Sequence, residues 1–413
     1  MQRARDVAAP GRGTGKRWRL LPALALILGA HHALAQERCE ASEHGMRADG
    51  SDNSAALTRT LSECAGRTIH IAQGTYSFKP QGFAPGLTVP ANTAIIGDGS
   101  QGERQTVLQI AETGNFMAFL WIRNVSNVSL QHLRFEGTSH ESGCSAHHDY
   151  GHAVWVQSDP GAGAAMNGID ISGNVFHNFN GQSWITVNAE DGSPGIGVNG
   201  TLSISGNVFI SDANLRGGCA ATGGLGYPVS MISLHGSNLS ARGMVANVSV
   251  ASNTFEAGYV KSAVAIWSGT QRISVRDNLI RDAGLRLPVV PNTDLGRYAI
   301  VIYNSAHAQP GLHPDTIWVT RNTITNPYSC GVYVASARNL EIQGNRISGQ
   351  RDRYDATLPK GAIALAGAEN VRVLTDNVLT GNQIGISAAK STISMGENQI
   401  DVPPGGVRAK ISP

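Results

Sequence analysis

Ile169-Asp170-Ile171-Ser172-Gly173-Asn174-Val175-Phe176 decides the reading of this chain, because its pattern recurs. Two apolar residues at alternate positions, two spacers, Asn, one spacer and an apolar residue return as Leu202-x-Ile204-x-x-Asn207-x-Phe209 and Val248-x-Val250-x-x-Asn253-x-Phe255. The pattern continues as Ile273-x-Val275-x-x-Asn278-x-Ile280, Ile317-x-Val319-x-x-Asn322-x-Ile324 and Leu340-x-Ile342-x-x-Asn345-x-Ile347. It closes with Val371-x-Val373-x-x-x-Asn377, one spacer longer, and Ile393-x-Met395-x-x-Asn398-x-Ile400. The Asn-to-Asn intervals run from 21 to 46 residues, and the short ones define a unit of 21–25.

Alternating apolar residues describe strands with one face turned inward. Between the motifs lies another such strand: Val154-x-Val156, Ile185-x-Val187, Ile232-x-Leu234, Val264-x-Ile266, Ile300-x-Ile302, Val332-x-Val334 and Ile363-x-Leu365. Three short strands per unit describe one coil of a single-stranded right-handed parallel β-helix, an all-β solenoid. The recurring Asn is expected to form an amide ladder at one bend, bonding to backbone or to the next Asn. A leucine-rich repeat would need Leu to dominate the consensus, and a propeller would need a longer unit.

Composition agrees with a folded β-protein. The chain has 413 residues, 41% hydrophobic and 15% charged, with 49 Gly. That is too apolar for disorder and too rich in Gly for a helical bundle. The formal charge is +2, but residues 1–35 carry six of the Lys/Arg and one acid, leaving a net −3 on the rest. Such a balance excludes general nucleic-acid binding. Residues 1–35 read as a signal peptide: Lys16, Arg17 and Arg19, an apolar run from Leu20 to Gly29, then Ala33-Leu34-Ala35 as the cleavage pattern. The expected product, 36–413, is a secreted or periplasmic monomer free of the membrane. Its five cysteines suit an oxidising compartment, with Cys39–Cys64 and Cys144–Cys219 as plausible pairs and Cys330 left over. No zinc spacing is visible, and no metal site is expected.

A solenoid must close its ends. Residues 45–78 read as the N-terminal cap, with a helix from Asp52 to Ala65 started by Asp52 or Ser54. Leu57, Leu61 and Cys64 lie on one face, and Thr68–Ile71 is the first strand. The run Asp49-Gly50-Ser51-Asp52-Asn53-Ser54-Ala55-Ala56-Leu57, then Gly66-x-Thr68-Ile69-x-Ile71 and Gly74-Thr75-Tyr76, resembles the entry segment of the pectate-lyase-like β-helix superfamily. With the Asn repeats, the resemblance covers roughly residues 45–400. It implies a right-handed parallel β-helix and, most often, action on polysaccharides. It does not fix the reaction, since the superfamily holds lyases, glycoside hydrolases, epimerases and tail-spike depolymerases.

Residues between and after each inward pair point outward. One outward column reads Trp121, Trp155, Thr186, Ser233, Ala265, Val301, Tyr333; the next reads Arg123, Gln157, Asn188, His235, Trp267, Tyr303, Ala335. Trp184 is read as outward too, just before its pair. Aromatic rings on a flat sheet stack on sugar faces or pack beneath loops. Trp121, Trp155, Gln157, Trp184, Trp267, Tyr303 and Arg297 are therefore the candidate substrate-binding residues. β-Elimination at a uronic acid needs a base and groups that neutralise the carboxylate. Asn188, Gln157 and Arg123 suit the second role and His235 the first, with Tyr259 or Lys261 as alternative bases. Calcium is not demanded by any acidic cluster in the columns. His147-His148-Asp149-Tyr150-x-His152 could bind a metal or orient a base, although a solvated loop is the default.

Hydrolysis needs two carboxyl groups. The columns contain none, but Asp159 with Glu190 or Asp191 could pair from adjacent coils. Asn292-Thr293-Asp294 echoes one polygalacturonase motif without the accompanying Asp-Asp or Gly-His-Gly, and the Trp-Ile-Asp-His and Asp-Pro-His-Asp motifs of lyase and epimerase families are missing. The expectation is a polysaccharide lyase, with a glycoside hydrolase or a non-catalytic glycan binder as alternatives.

Overall fold

The computed structural model describes residues 37–79, 86–110, 117–137, 151–179, 182–212, 230–287, 297–350 and 361–412. The signal-peptide reading, Cys144 and Cys219, the 147–150 part of the His cluster and Asp294 fall outside these residues. The described chain is a right-handed parallel β-helix. Each coil gives one strand to each of three parallel sheets, as in Val245–Ala251, Thr254–Glu256 and Ser262–Ile266. The first sheet has 12 strands, from Arg38–Glu40 to Ile393–Met395; the second has 11, from Gly74–Phe78 to Gln399–Asp401. The third has 11, from Leu87–Thr88 to Val407–Ser412.

The Asn bend sets the stacking. Between the first and second sheets the residue before each ladder Asn from Asn174 to Asn377 is left-handed: Gly173, Gly206, Ser252, Asp277, Arg321, Gly344 and Asp376 have φ of 53–65°. The Asn that follows is buried and bonds to the next. Nδ2 to Oδ1 distances from Asn174 through Asn207, Asn253, Asn278, Asn322, Asn345 and Asn377 to Asn398 are 2.9–3.1 Å. Each Oδ1 from Asn207 to Asn398 also accepts the backbone N–H of the Asn one coil earlier. The ladder thus satisfies backbone donors that a tight bend would otherwise bury unpaired. One coil further toward the N-terminus, Leu133 holds the position, and its N–H donates to Asn174 Oδ1 at 3.0 Å.

Inside this bend the apolar residue two positions after each Asn, and after Leu133, forms a column. Phe135, Phe176, Phe209 and Phe255 stack with centroids 4.8, 5.0 and 4.7 Å apart and planes within 11° of parallel. That spacing matches the separation of hydrogen-bonded strands, so the sheets impose it. Ile280, Ile324, Ile347 and Leu379 continue the column in the buried core.

The cap matches its sequence reading in outline. The helix spans Ser54–Glu63 and buries Ala56, Leu57, Thr60 and Leu61. Its N-cap position is Asn53, not Asp52 or Ser54, and its side chain accepts no cap bond from the first turn. Asn53 instead ties the entry loop, accepting from Arg47 N at 2.7 Å and donating to the Arg47 and Ser51 carbonyls. A short strand, Arg38–Glu40, precedes and pairs with Thr68–Ile71, so the latter is not the first. Cys39 and Cys64 form the expected disulfide, and Cys330 is buried. Among the described residues no helix is long and apolar enough to cross a membrane.

Corner lengths locate the variable side of the solenoid. From Gln131 to Val378 every first-to-second-sheet corner has two residues. The corners on either side of the third sheet vary instead, as between Ser158 and Ile169, Ile210 and Ser230, or Arg281 and Tyr298. Long connections therefore flank the third sheet, the arrangement in which a rigid scaffold presents function.

Candidate functional site

Strand pairing in the third sheet aligns the two outward columns. Trp121, Trp155, Thr186, Ser233, Ala265, Val301 and Tyr333 are consecutive Cα partners. Arg123, Gln157, Asn188 and His235 are aligned the same way. Trp267 and Tyr303 extend the second column by ring contact: His235 and Trp267 are stacked at 5.2 Å, and Trp267 meets Tyr303 edge-on at 5.3 Å.

The alternation continues one step beyond the strands. Asp159 and Glu190 lie two residues after Gln157 and Asn188, directly after the register pair Ser158 and Ala189, and Glu190 N donates to Ser158 O at 2.9 Å. They hold the polar column from its edge. Arg123 Nε donates to Asp159 Oδ2, which also accepts from Asn124 Nδ2 at 2.9 Å. Trp121 Nε1 donates to Gln157 Oε1 at 2.9 Å, and Gln157 Nε2 donates to Glu190 Oε1. Both carboxylates thus stand beside the columns in consecutive coils. The sequence offered Asp159 with Glu190 or Asp191 as a pair from adjacent coils; carrying the two-residue period past each strand end singles out Asp159 and Glu190.

His235 is not the ordinary imidazole its sequence position suggested. Its Nε2 bonds to Ser233 Oγ, which also accepts from Trp267 Nε1 at 3.2 Å. Part of the residue reaches solvent, yet burial of the ring, with His152 as a second nearby charge, pushes its pKa down to about 3. The ring is neutral at any ordinary working pH and a weak proton acceptor. His152, expected in the loop, opens the strand His152–Ser158; its Nδ1 bonds to the Ser183 carbonyl, Thr186 Oγ1 lies 3.1 Å away, and its ring packs 5.2 Å from Trp155. Asn188 is half-buried, and its side chain makes no hydrogen bond among the described residues.

Several expected site residues face elsewhere. Trp184 is fully buried, 6.2 Å from Phe179 and 6.3 Å from Phe209, so it is a core residue. Three tryptophans, not four, remain on the candidate face. Trp121 is itself mostly buried, with the Arg123 guanidinium 4.4 Å above its ring. Gln157 is buried and spent on Trp121 and Glu190, so it braces the site. Arg297 is buried: Nη1 donates to the Leu287 carbonyl at 2.9 Å, and its guanidinium lies 4.3 Å from the Tyr328 ring centroid. Lys261 is buried too, which removes it from contact with a sugar chain; Tyr259 is half-exposed. Thr186, Ser233 and Ala265, the small residues of the first outward column, are covered, so they leave no open groove there.

Among the described residues, two polar atoms on this face lack partners. Trp155 Nε1 and Asp159 Oδ1 are buried without a hydrogen bond. Each costs about 1–3 kcal/mol.

Known proteins agree with this architecture. The family model described as "Right handed beta helix region" matches residues 293–409. The A-module of mannuronan C-5 epimerase AlgE6 from Azotobacter vinelandii is similar in structure (14% identity, TM-score 0.55, covering 90% of this chain and 95% of that one). The Streptococcus pneumoniae surface protein and adhesin PfbA is similar (12% identity, TM-score 0.57, 91% and 100%). So is a tailspike protein mutant of E. coli bacteriophage HK620 in complex with pentasaccharide (13% identity, TM-score 0.53, 91% and 64%). At these identities the likeness is one of fold. No curated protein matches the chain by sequence.

Proposed function

We propose that the protein is an exported polysaccharide-active enzyme that lays its substrate along the outer face of the third sheet. The observation that carries this reading is the register of the two outward columns, which puts Trp155, Trp267 and Tyr303 beside Arg123, Asn188 and His235 on successive strands. Trp155 and Trp267 lie three coils apart at ~4.8 Å per coil, with the polar groups of the coils between them, a spacing that suits a chain of sugars running parallel to the solenoid axis. The unpaired Trp155 Nε1 and Asp159 Oδ1 are groups that a sugar hydroxyl would satisfy. The epimerase and the tailspike bearing a pentasaccharide support a glycan as partner.

For the reaction, hydrolysis fits best. Asp159 and Glu190 supply two carboxyl groups from consecutive coils, as two-carboxylate catalysis requires. Arg123 holds Asp159, and Gln157 orients Glu190. β-Elimination is the second reading, favoured by the unengaged Asn188 amide and the exposed Arg123, which suit a uronate carboxylate. In that reading Tyr259 is the better base, because burial has lowered the proton affinity of His235. Product analysis on a panel of acidic and neutral polysaccharides tests both. New reducing ends without near-ultraviolet absorbance, lost in Asp159→Asn and in Glu190→Gln, support hydrolysis. Unsaturated, absorbing ends move the assignment to β-elimination. Retention on glycan gels with no new ends from any polymer refutes the enzyme reading.

A further inference from the structure

The N-terminal cap gathers a cluster that the sequence spacing hid. Cys39 comes from the first strand, His44 from the single turn Ala41–His44, and Cys64 from the residue after the helix Ser54–Glu63. His44 Nε2 lies 3.2 Å from Cys39 Sγ and 3.2 Å from Cys64 Sγ. On its other side His44 Nδ1 is 2.6 Å from Glu63 Oε2. The two sulfurs and the imidazole nitrogen form a three-ligand group around one point. Cys64 is fully buried, Cys39 nearly so, and His44 forms the solvent side.

A disulfide needs no imidazole between its sulfurs, and none is needed to close the cap. Two thiolates and a neutral imidazole are, however, the ligand types preferred by zinc. Zn–S bonds of about 2.3 Å and Zn–N bonds of about 2.0–2.1 Å put tetrahedral ligand atoms roughly 3.5 Å apart. The sulfur-to-nitrogen distances are already close to that; only the two sulfurs have to part. The Glu63 carboxylate fixes the tautomer. With Nδ1–H donated to Glu63, Nε2 presents its lone pair toward the sulfurs, the carboxylate–histidine arrangement that orients metal ligands.

We propose that the cap is a clasp with two closed states: the Cys39–Cys64 disulfide when oxidised, and a Zn²⁺ site of Cys39, His44 and Cys64 when reduced. A dithiol reductant supplies two electrons and two protons, breaking the S–S bond and giving two thiols. Zn²⁺ then displaces both thiol protons, while His44 binds through Nε2 without losing one. Three protein ligands leave the fourth position to water or an outside group. The clasp joins the first strand, the short turn and the cap helix in either state, so the end of the solenoid stays covered.

The test is cobalt substitution in the full chain, reduced with a dithiol that is then removed without oxygen. Co²⁺ alone is the probe, read by its thiolate charge-transfer band and visible ligand-field bands. One equivalent of Co²⁺ should give the spectrum of a tetrahedral thiolate site, and Zn²⁺ should bleach it. The oxidised protein should give none. His44→Ala, which leaves the disulfide able to form, should weaken binding at least tenfold, and Glu63→Gln roughly 10–100-fold. Circular dichroism of the oxidised variants confirms that they fold. Cys330→Ser should leave the spectrum unchanged. No thiolate band in the reduced chain, or a band of equal affinity in His44→Ala, overturns the proposal.

Discussion

Replacing Asn253 by Ala should be among the most damaging single changes in this solenoid. Asn253 is buried at mid-ladder. Its Oδ1 accepts from Asn207 N at 2.9 Å and from Asn207 Nδ2 at 3.0 Å. Its Nδ2 donates to the Ile204 carbonyl at 2.9 Å and to Asn278 Oδ1 at 3.0 Å. After the change, Asn207 Nδ2 keeps the Ile171 carbonyl and Asn278 Oδ1 keeps Asn253 N. The Asn207 N–H loses its acceptor inside the coil, where water does not reach. One buried orphan costs about 1–3 kcal/mol, and three further lost bonds about 0.5–1.5 kcal/mol each. The sum is about 2.5–7.5 kcal/mol, a large part of a typical domain's stability. Asn398, the last rung, accepts the same two bonds from Asn377 but is partly exposed. Water can replace it there, so Asn398→Ala should cost under about 1.5 kcal/mol. Urea unfolding followed by circular dichroism measures both, with the slope checked for constancy because solenoids can unfold in parts. If Asn253→Ala falls within about 1 kcal/mol of the parent, or costs no more than Asn398→Ala, the ladder is a passive result of stacking and the argument fails.

Three other outcomes follow from the site and its surroundings. Trp155→Ala and Trp267→Ala should each weaken glycan binding roughly threefold to tenfold, the size of one aromatic contact, as read by affinity electrophoresis, whereas Trp318→Ala, on the first sheet, should not change it. For His235 the pH–rate profile carries the information: with its pKa near 3, no inflection between pH 5 and 8 should belong to it. An inflection near pH 6.5 that vanishes in His235→Gln contradicts the burial argument. His177 behaves oppositely. Burial lowers its pKa, but the bonds and charges of Glu136 and then Asp212 outweigh that and raise it above its usual value. Its contribution to stability is therefore complete below about pH 6.5 and lost as pH rises through the raised value. The urea-midpoint difference between parent and His177→Gln should shrink between pH 6 and pH 9, and a growing difference would reverse the assignment.

The outward columns were legible because register and period are the same information here. Once Asn174 and Asn207 are rungs of one ladder, Trp155 and Thr186 must be neighbours, as must Gln157 and Asn188. Trp184 was misread because alternation does not extend into a corner. Where each strand enters the third sheet, two consecutive residues face the core: Ala153-Val154, Trp184-Ile185, Met231-Ile232, Ala263-Val264 and Ala299-Ile300 are all buried. The column Ala153, Trp184, Met231, Ala263, Ala299 contains no polar residue, which was a visible sign of its burial. The lowered proton affinity of His235 had no such sign, since it depends on Trp267 folding back over Ser233 from the next coil. The Cys39–His44–Cys64 cluster was hidden because a loop and the cap helix intervene between His44 and Cys64.

The constant two-residue corner has an evolutionary reading. Rungs separated by 21 residues and rungs separated by 46 stack at one height, so surplus chain never propagates into the spine. Between Gln131 and Val378, length variation is quarantined at the two corners that border the third sheet. Such a molecule can exchange its specificity loops wholesale while its backbone stays indifferent, much as a rack accepts different trays on the same rails.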